Sequence, residues 1–253
     1  MQPQEQNPYG YGQGSNQGGY AATVADAAVE DRSTFIVRTY AHLAGAIFAF
    51  VAIIALLFAT GIGDRMGAFL VSFGQIGWLM VLGAFMGVTM IANKWAHSNA
   101  SKGMQYAGLG LYVVAEAIIF TPLILMVMMI GAETGTGGLD ILAEAGLLTV
   151  ALFGGLTAVV FLTRKNFSFL RSVVMFGGLA AMGIIIVSAI AGFSLGLFFM
   201  WAMVVFAAVT ILYNTSNVLH EYNTNQYVAA ALALFASFAL LLWYVIQIVA
   251  SRR

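Results

Sequence analysis

Beyond its first 22 residues the chain is a succession of long apolar runs separated by short polar loops. Seven runs, 39–60, 69–92, 104–130, 146–163, 172–191, 197–213 and 228–250, approach or exceed the roughly 17 residues at which a helix begins to cross a bilayer. The fourth and sixth are the shortest. The runs are continuous, whereas the strands of a membrane barrel alternate apolar and polar positions over about 10 residues. Lipid offers the backbone no hydrogen-bond partners, and continuous runs of this length satisfy their own only as helices. The pattern therefore predicts an all-α integral membrane protein with seven transmembrane helices.

The start of the chain reads differently. Residues 1 to about 22 are rich in Gln, Gly, Asn and Tyr, including Tyr9, Gly10, Tyr11 and Gly12. Such a segment buries too little apolar surface to fold, so it is expected to be disordered. Residues 21–38 have the makings of a short amphipathic lead-in helix containing Asp26, Glu30, Asp31 and Arg32. The predicted division is a cytoplasmic tail and lead-in over 1–32 and a transmembrane domain over 33–253. No cleavable leader pattern precedes the first run, which begins near Thr39 and is expected to act as an uncleaved anchor.

Composition sharpens this picture. Hydrophobic residues make up 61% of the 253 positions and charged residues only 8%, against about 25% charged in a soluble domain. The lipid bilayer is thus the first partner. With no cysteine, disulfides and thiolate metal sites are excluded. Ten basic residues balance ten acidic ones, and no basic run suggests a nucleic-acid partner. No HExxH, GxSxG or P-loop pattern occurs. His42, His97 and His220 stand apart from one another in sequence, the last two expected in solvated loops. Neither an enzyme, a metal site nor a cofactor is expected.

Orientation follows from the basic residues of the loops. Seven spans place Arg32, Arg38, Lys94, Lys102, Arg164, Lys165 and Arg171 on one side, and Arg65, Arg252 and Arg253 on the other. The excess predicts a cytoplasmic N-terminus. The loop with Glu133, Asp140 and Glu144 then lies outside. Arg252 and Arg253 at the end of the chain keep a re-entrant segment open as an alternative. Two small-residue pairs at i, i+4 spacing, Gly83 with Gly87 and Ala151 with Gly155, are candidates for close helix packing.

Polar groups inside a span are costly and are functional candidates for that reason. Glu116 is the acid inside the predicted spans, near the middle of the third. Its carboxyl is suited either to orienting that helix by a hydrogen bond or to handling a proton or cation; both readings stand. Thr121 and Pro122 follow. The proline removes a backbone hydrogen bond and is expected to kink the helix. His42, at the start of the first span, reads as an interfacial hydrogen-bonding residue.

Several stretches carry a resemblance. Thr163, Arg164, Lys165, Asn166, Phe167, Ser168, Phe169 and Leu170 form one. Ile211, Leu212, Tyr213, Asn214 and Thr215, followed by a polar loop and Tyr227 opening a long apolar helix, form another. Arg38, Thr39 and Tyr40 and the pattern from Tyr112 to Glu116 add weaker matches. In order and spacing over roughly residues 33–250 they resemble the Bax inhibitor-1 (TMBIM) family, bacterial type. That resemblance implies six helices wrapped around a central C-terminal helix. It also implies a stress-associated protein of a bacterial inner membrane that modulates cation balance, with a Ca²⁺ leak the usual proposal. In bacterial members two aspartates, one each on the last two helices, share a proton and form a pH-sensitive latch.

This chain departs from that pattern where the latch acids belong. By alignment the two positions are Asn214, which closes the sixth span, and Ser237, and neither side chain titrates in the physiological range. They are able to hydrogen-bond across the helices as a fixed closure, but not as a proton switch. Asn166 also replaces an acidic residue in the Arg164–Lys165 loop motif. Two functions are therefore carried forward. One is a channel-like leak or ion-homeostasis regulator, with Ca²⁺ or another cation in transit. The other is a non-transporting interaction protein that modulates a membrane protease or stress complex.

Overall fold

The computed structural model describes residues 23–98 and 101–253. The tail over residues 1–22 lies outside the described residues. Eight helices follow in order: α1 Val29–Ala59, α2 Ile62–Ser72, α3 Gly74–Ala96, α4 Lys102–Thr134, α5 Gly138–Thr163, α6 Leu170–Ala191, α7 Gly196–His220 and α8 Tyr227–Ala250. Seven of them, all but α2, are long and apolar enough to cross a membrane.

The differences from the sequence expectation lie at the helix ends. Helix α1 starts at Val29 and absorbs the acidic part of the expected lead-in, because Glu30 and Asp31 suit the first turn of a helix. Residues 23–28 before it form no lead-in helix. They run back along the molecule, with Thr23 bridged to Asn223 and the Val24 amide donating to the Tyr222 carbonyl at 2.8 Å. Val24 is fully buried there. Burial pushes the Tyr222 hydroxyl up to about 12, so this ring stays neutral at physiological pH. The expected second span is divided between α2 and α3. Gly74 takes a left-handed φ of 65°, which a glycine adopts without strain, and the chain turns there. Helix α7 runs on to His220, so Asn214 lies inside the helix and does not close it as expected.

Helix α8 forms the centre. Its sequence is apolar on every face, interrupted chiefly by Ser237 and Gln247, as suits a helix surrounded by lipid or by other helices. In its most apolar stretch 78% of the residues are buried, against 11% for α6. It packs against α7, α1, α5, α4 and α3, whereas α6 leans on α7 and, more lightly, on α3. Aromatic rings lock the centre in edge-to-face pairs: Phe50 with Phe120 at 5.0 Å, Phe120 with Trp243 at 5.0 Å and Phe50 with Phe235 at 5.8 Å. Such pairs add about 0.5–1.5 kcal/mol each beyond burial.

The small-residue pairs do not act as expected within the chain. A Cβ added at Gly83, Gly87 or Gly155 would meet nothing within 4 Å. The close approach occurs instead at Gly108, where a Cβ would stand 2.5 Å from the Ala92 carbonyl oxygen, and it lets α4 rest against α3. Counting glycine spacing cannot tell which face of a helix meets a neighbour.

Contacts at the two ends fix the direction of each helix. At one end Arg32 donates to the Leu219 carbonyl, Lys102 to the Asn225 carbonyl and the Phe167 amide to Ser216. At the other, Arg253 pairs with Glu144 at 2.7 Å and Arg252 lies over the Trp201 ring. The C-terminus therefore sits at the opposite end of the bundle from residues 29–38, and α8 passes through it without re-entering.

Candidate functional site

Glu116 is buried, and it is the one charged side chain among the described buried residues. The Tyr112 hydroxyl, one turn earlier on α4, lies beside its carboxyl. Both face a cavity of about 370 Å³ bordered by α3, α4, α7 and α8. Across the cavity stand Thr210 and Asn214 of α7 and Ser237 and Tyr244 of α8. Leu82, Phe85 and Trp243 supply apolar wall. The three residues singled out from sequence, Glu116, Asn214 and Ser237, thus line one space, although they come from three different helices. Helical spacing supplies the neighbours that the sequence reading passed over. Tyr112 lies four residues before Glu116 and Thr210 four before Asn214, and side chains so spaced share a face.

Asn214 and Ser237 are joined. The Asn214 Nδ2 donates to Ser237 Oγ at 2.7 Å, with the Ala233 carbonyl oxygen 3.3 Å away as a second acceptor. Ser237 Oγ in turn donates to Ala233 at 3.0 Å. The chain of donors is complete, and every member is neutral. At about 1.5 Å per residue, Asn214 stands roughly 9 Å from the His220 end of α7 and Ser237 roughly 15 Å from the Tyr227 end of α8. Glu116 stands roughly 21 Å from the same end, at Lys102 of α4. The bonded pair therefore lies between the carboxyl and the end of the bundle that carries Arg38, Lys94, Lys102, Arg164, Lys165 and Arg171.

Just beyond the cavity, Pro122 sits inside α4 without ending it. A residue at 122 would normally donate to the Ile118 carbonyl, and proline has no N–H to give. Thr121 supplies the replacement, its hydroxyl donating to Ile118 at 2.8 Å. Thr121→Val should lower stability by about 1 kcal/mol, the worth of one such bond. In a Pro122→Ala background the same change should cost much less, because the new amide restores the bond. Thermal midpoints of the four proteins in detergent check this; equal costs in both backgrounds would contradict it.

The loop motif has a structural role. Arg164 takes a left-handed φ of 51° as α5 ends. Asn166 Oδ1 accepts from the Ser168 amide at 2.8 Å, a local turn that an aspartate would form equally well. The Phe167 amide donates to Ser216 Oγ at 2.8 Å and ties the loop to α7. Arg164, Lys165 and Asn166 therefore sit at the bundle end, and none lines the cavity. A second polar cluster was not anticipated: the Tyr40, Thr157 and Thr215 hydroxyls of α1, α5 and α7 lie near one another, each buried without a hydrogen-bond partner among the described residues. His220 is half-buried at the end of α7, within 2.9 Å of the Ser216 carbonyl, rather than in a solvated loop. Among the described residues no three His, Asp or Glu side chains gather as a metal set would.

Comparison with known proteins supplies the remaining evidence. A family model described as inhibitor of apoptosis-promoting Bax1 matches residues 32–253. The chain is 33% identical over 103 residues to an uncharacterized protein of Pseudomonas aeruginosa, a match covering 40% of this chain and 45% of that one. It is 27% identical over 172 residues to an uncharacterized protein of Pasteurella multocida, covering 64% of this chain and 69% of that one. The chain thus spans about half the length of the first relative and about two thirds of the second.

Proposed function

The chain belongs to the Bax inhibitor-1 family, and from that premise we propose that it is a non-enzymatic, channel-like regulator of cation balance whose closure is neutral rather than proton-operated. The observation that carries this reading is the placing of one carboxyl, Glu116, in a cavity that the Asn214–Ser237 hydrogen bond separates from the basic end of the bundle. A carboxyl inside a membrane bundle is the kind of group that binds a cation or proton in passage. Among the described residues no basic side chain lines the cavity to neutralise it. The basic end is assigned to the cytoplasm by the excess of Lys and Arg there, and the two bacterial relatives support an inner-membrane location. A Ca²⁺ leak serving ion homeostasis under stress is the activity proposed.

Loosening the closure tests this. Asn214→Ala removes the cross-helix donor and leaves Ser237 bonded to its own helix. Ca²⁺ entry into proteoliposomes should rise about fivefold or more, since one lost hydrogen bond is worth about 1 kcal/mol. Unchanged entry in a folded variant would remove the pair from any gating role.

A second reading draws on α6, which leaves most of its surface uncovered by this chain. There the protein passes no ion and presents that helix to a membrane protease or stress complex. The neutral pair favours it to the extent that proton gating is absent. Ion flux separates the two, because an interaction protein carries none.

A further inference from the structure

A second cavity lies on the outer surface of the bundle, away from Glu116. It is a groove of about 440 Å³ between α1 and α4, with His42 and Tyr106 at one end and Ile53 and Val114 toward the other. We propose that this groove holds one anionic phospholipid of the leaflet at the Arg38–Lys102 end, with an acyl chain along the groove and the phosphate at those two cations.

The shape comes from missing side chains. Gly45 on α1 and Gly110 on α4 both line it, and a Cβ at either would meet nothing within 4 Å. Ala41 and Ala49 continue the hollow at one-turn intervals along α1. From Ala41 to Ile53 the groove runs for roughly 18 Å at about 1.5 Å per residue. One leaflet of the hydrocarbon core is about 15 Å deep, half of about 30 Å. An acyl chain therefore matches the groove in length as well as in polarity.

The charge comes from the residues just beyond its end. Arg38 lies one turn before His42, and Lys102 one turn before Tyr106. Both side chains are exposed. The Arg38 guanidinium lies 5.6 Å from the centre of the Tyr227 ring and the Lys102 ammonium 4.4 Å from it, so one ring gathers the two cations. Among the described residues neither meets a carboxylate; the ion pair there is Arg253 with Glu144, at the other end of the bundle. Lys102 spends donors on the Asn225 carbonyl and on Gln105, whereas the Arg38 guanidinium donates to none of the described residues. Below the cations the Tyr227, Tyr106 and His42 side chains form a hydrogen-bonded row, with 3.2 Å at each step. His42 Nδ1 lies 2.6 Å from the Arg38 carbonyl, which makes Nδ1 the donor and leaves Nε2 to accept from Tyr106. The order from the bundle end inward is cations, then hydroxyls, then apolar groove, and it reproduces the order phosphate, ester and acyl chain of one lipid. Two uncompensated cations select a headgroup with net negative charge over a zwitterion.

Native mass spectrometry of the full chain in detergent tests this with dioleoyl phosphatidylglycerol and dioleoyl phosphatidylcholine as probes. One phosphatidylglycerol should be retained at collision energies that strip phosphatidylcholine. Arg38→Gln with Lys102→Gln keeps both stems on exposed positions, and should weaken phosphatidylglycerol binding about tenfold or more, with the protein still folded and its thermal midpoint lowered only by the lost contacts to Asn225 and Tyr227. Gly110→Leu fills the groove and should abolish the same adduct with both cations present. Equal retention of the two lipids, or an unchanged phosphatidylglycerol adduct in the double variant, overturns the proposal. A dimer mass in place of lipid adducts would assign the groove to a second copy of the chain and overturn it too.

Discussion

Replacing both members of the neutral pair, Asn214→Asp together with Ser237→Asp, is expected to make ion flux depend steeply on pH. The two side chains already stand within 2.7 Å of each other in the wild type. Two carboxyls at that distance cannot both ionise cheaply, so they lose their protons in two separate steps that belong to the pair. Between the steps they share one proton and hold each other across α7 and α8. Above the second step both are anions and repel. Closure should therefore persist at intermediate pH and fail as the pH rises, and flux should climb about tenfold or more through the second step, one pKa unit being worth about a factor of ten. The amide and hydroxyl of the wild type have no such step between about pH 6 and 8. Any pH dependence of wild-type flux must then come from elsewhere in the cavity, with Glu116 the first candidate. A folded double-aspartate protein whose flux ignores pH would mean that no conduction path passes between these helices.

Glu116→Gln is expected to cut flux by about tenfold or more without unfolding the protein. Glutamine keeps the shape of the side chain and still meets the Tyr112 hydroxyl, so the packing of α4 against α8 is preserved. What it loses is the one carboxyl in the cavity able to give up its proton to a cation. Interactions with a charged partner are worth about 1.5–3 kcal/mol, which sets the expected size. The thermal midpoint serves as the control for folding. Full activity in a stable Glu116→Gln protein would return Glu116 to a helix-orienting role, and a large loss of stability would do the same by another route.

The architecture was legible from the chain because the bilayer imposes one rule on every spanning segment, and runs such as 172–191 and 228–250 obey it almost to the residue. The centrality of α8 was implied only by the family resemblance, because α6 is also apolar on every face and yet lies at the edge of the bundle. The break at Gly74 was not legible, because one left-handed glycine among 28 looks like any other. Helix ends were misjudged where polar residues continue a helix past the hydrocarbon, as in Ser216, Asn217 and His220 of α7. At the site, the identities of Glu116, Asn214 and Ser237 were readable from cost and from resemblance. Their convergence on one cavity was not, because it depends on how α4, α7 and α8 are rotated about their axes. The Tyr40–Thr157–Thr215 cluster was hidden for the same reason: each hydroxyl alone is ordinary in a membrane helix.

Ca²⁺ entry into proteoliposomes that contain only the purified wild-type chain tests the central claim most directly, with protein-free vesicles of the same lipid alongside. The account predicts slow entry above the protein-free rate. Entry indistinguishable from protein-free vesicles, with the protein shown to be folded and inserted, would contradict it and leave the chain as a membrane protein that acts through its partners.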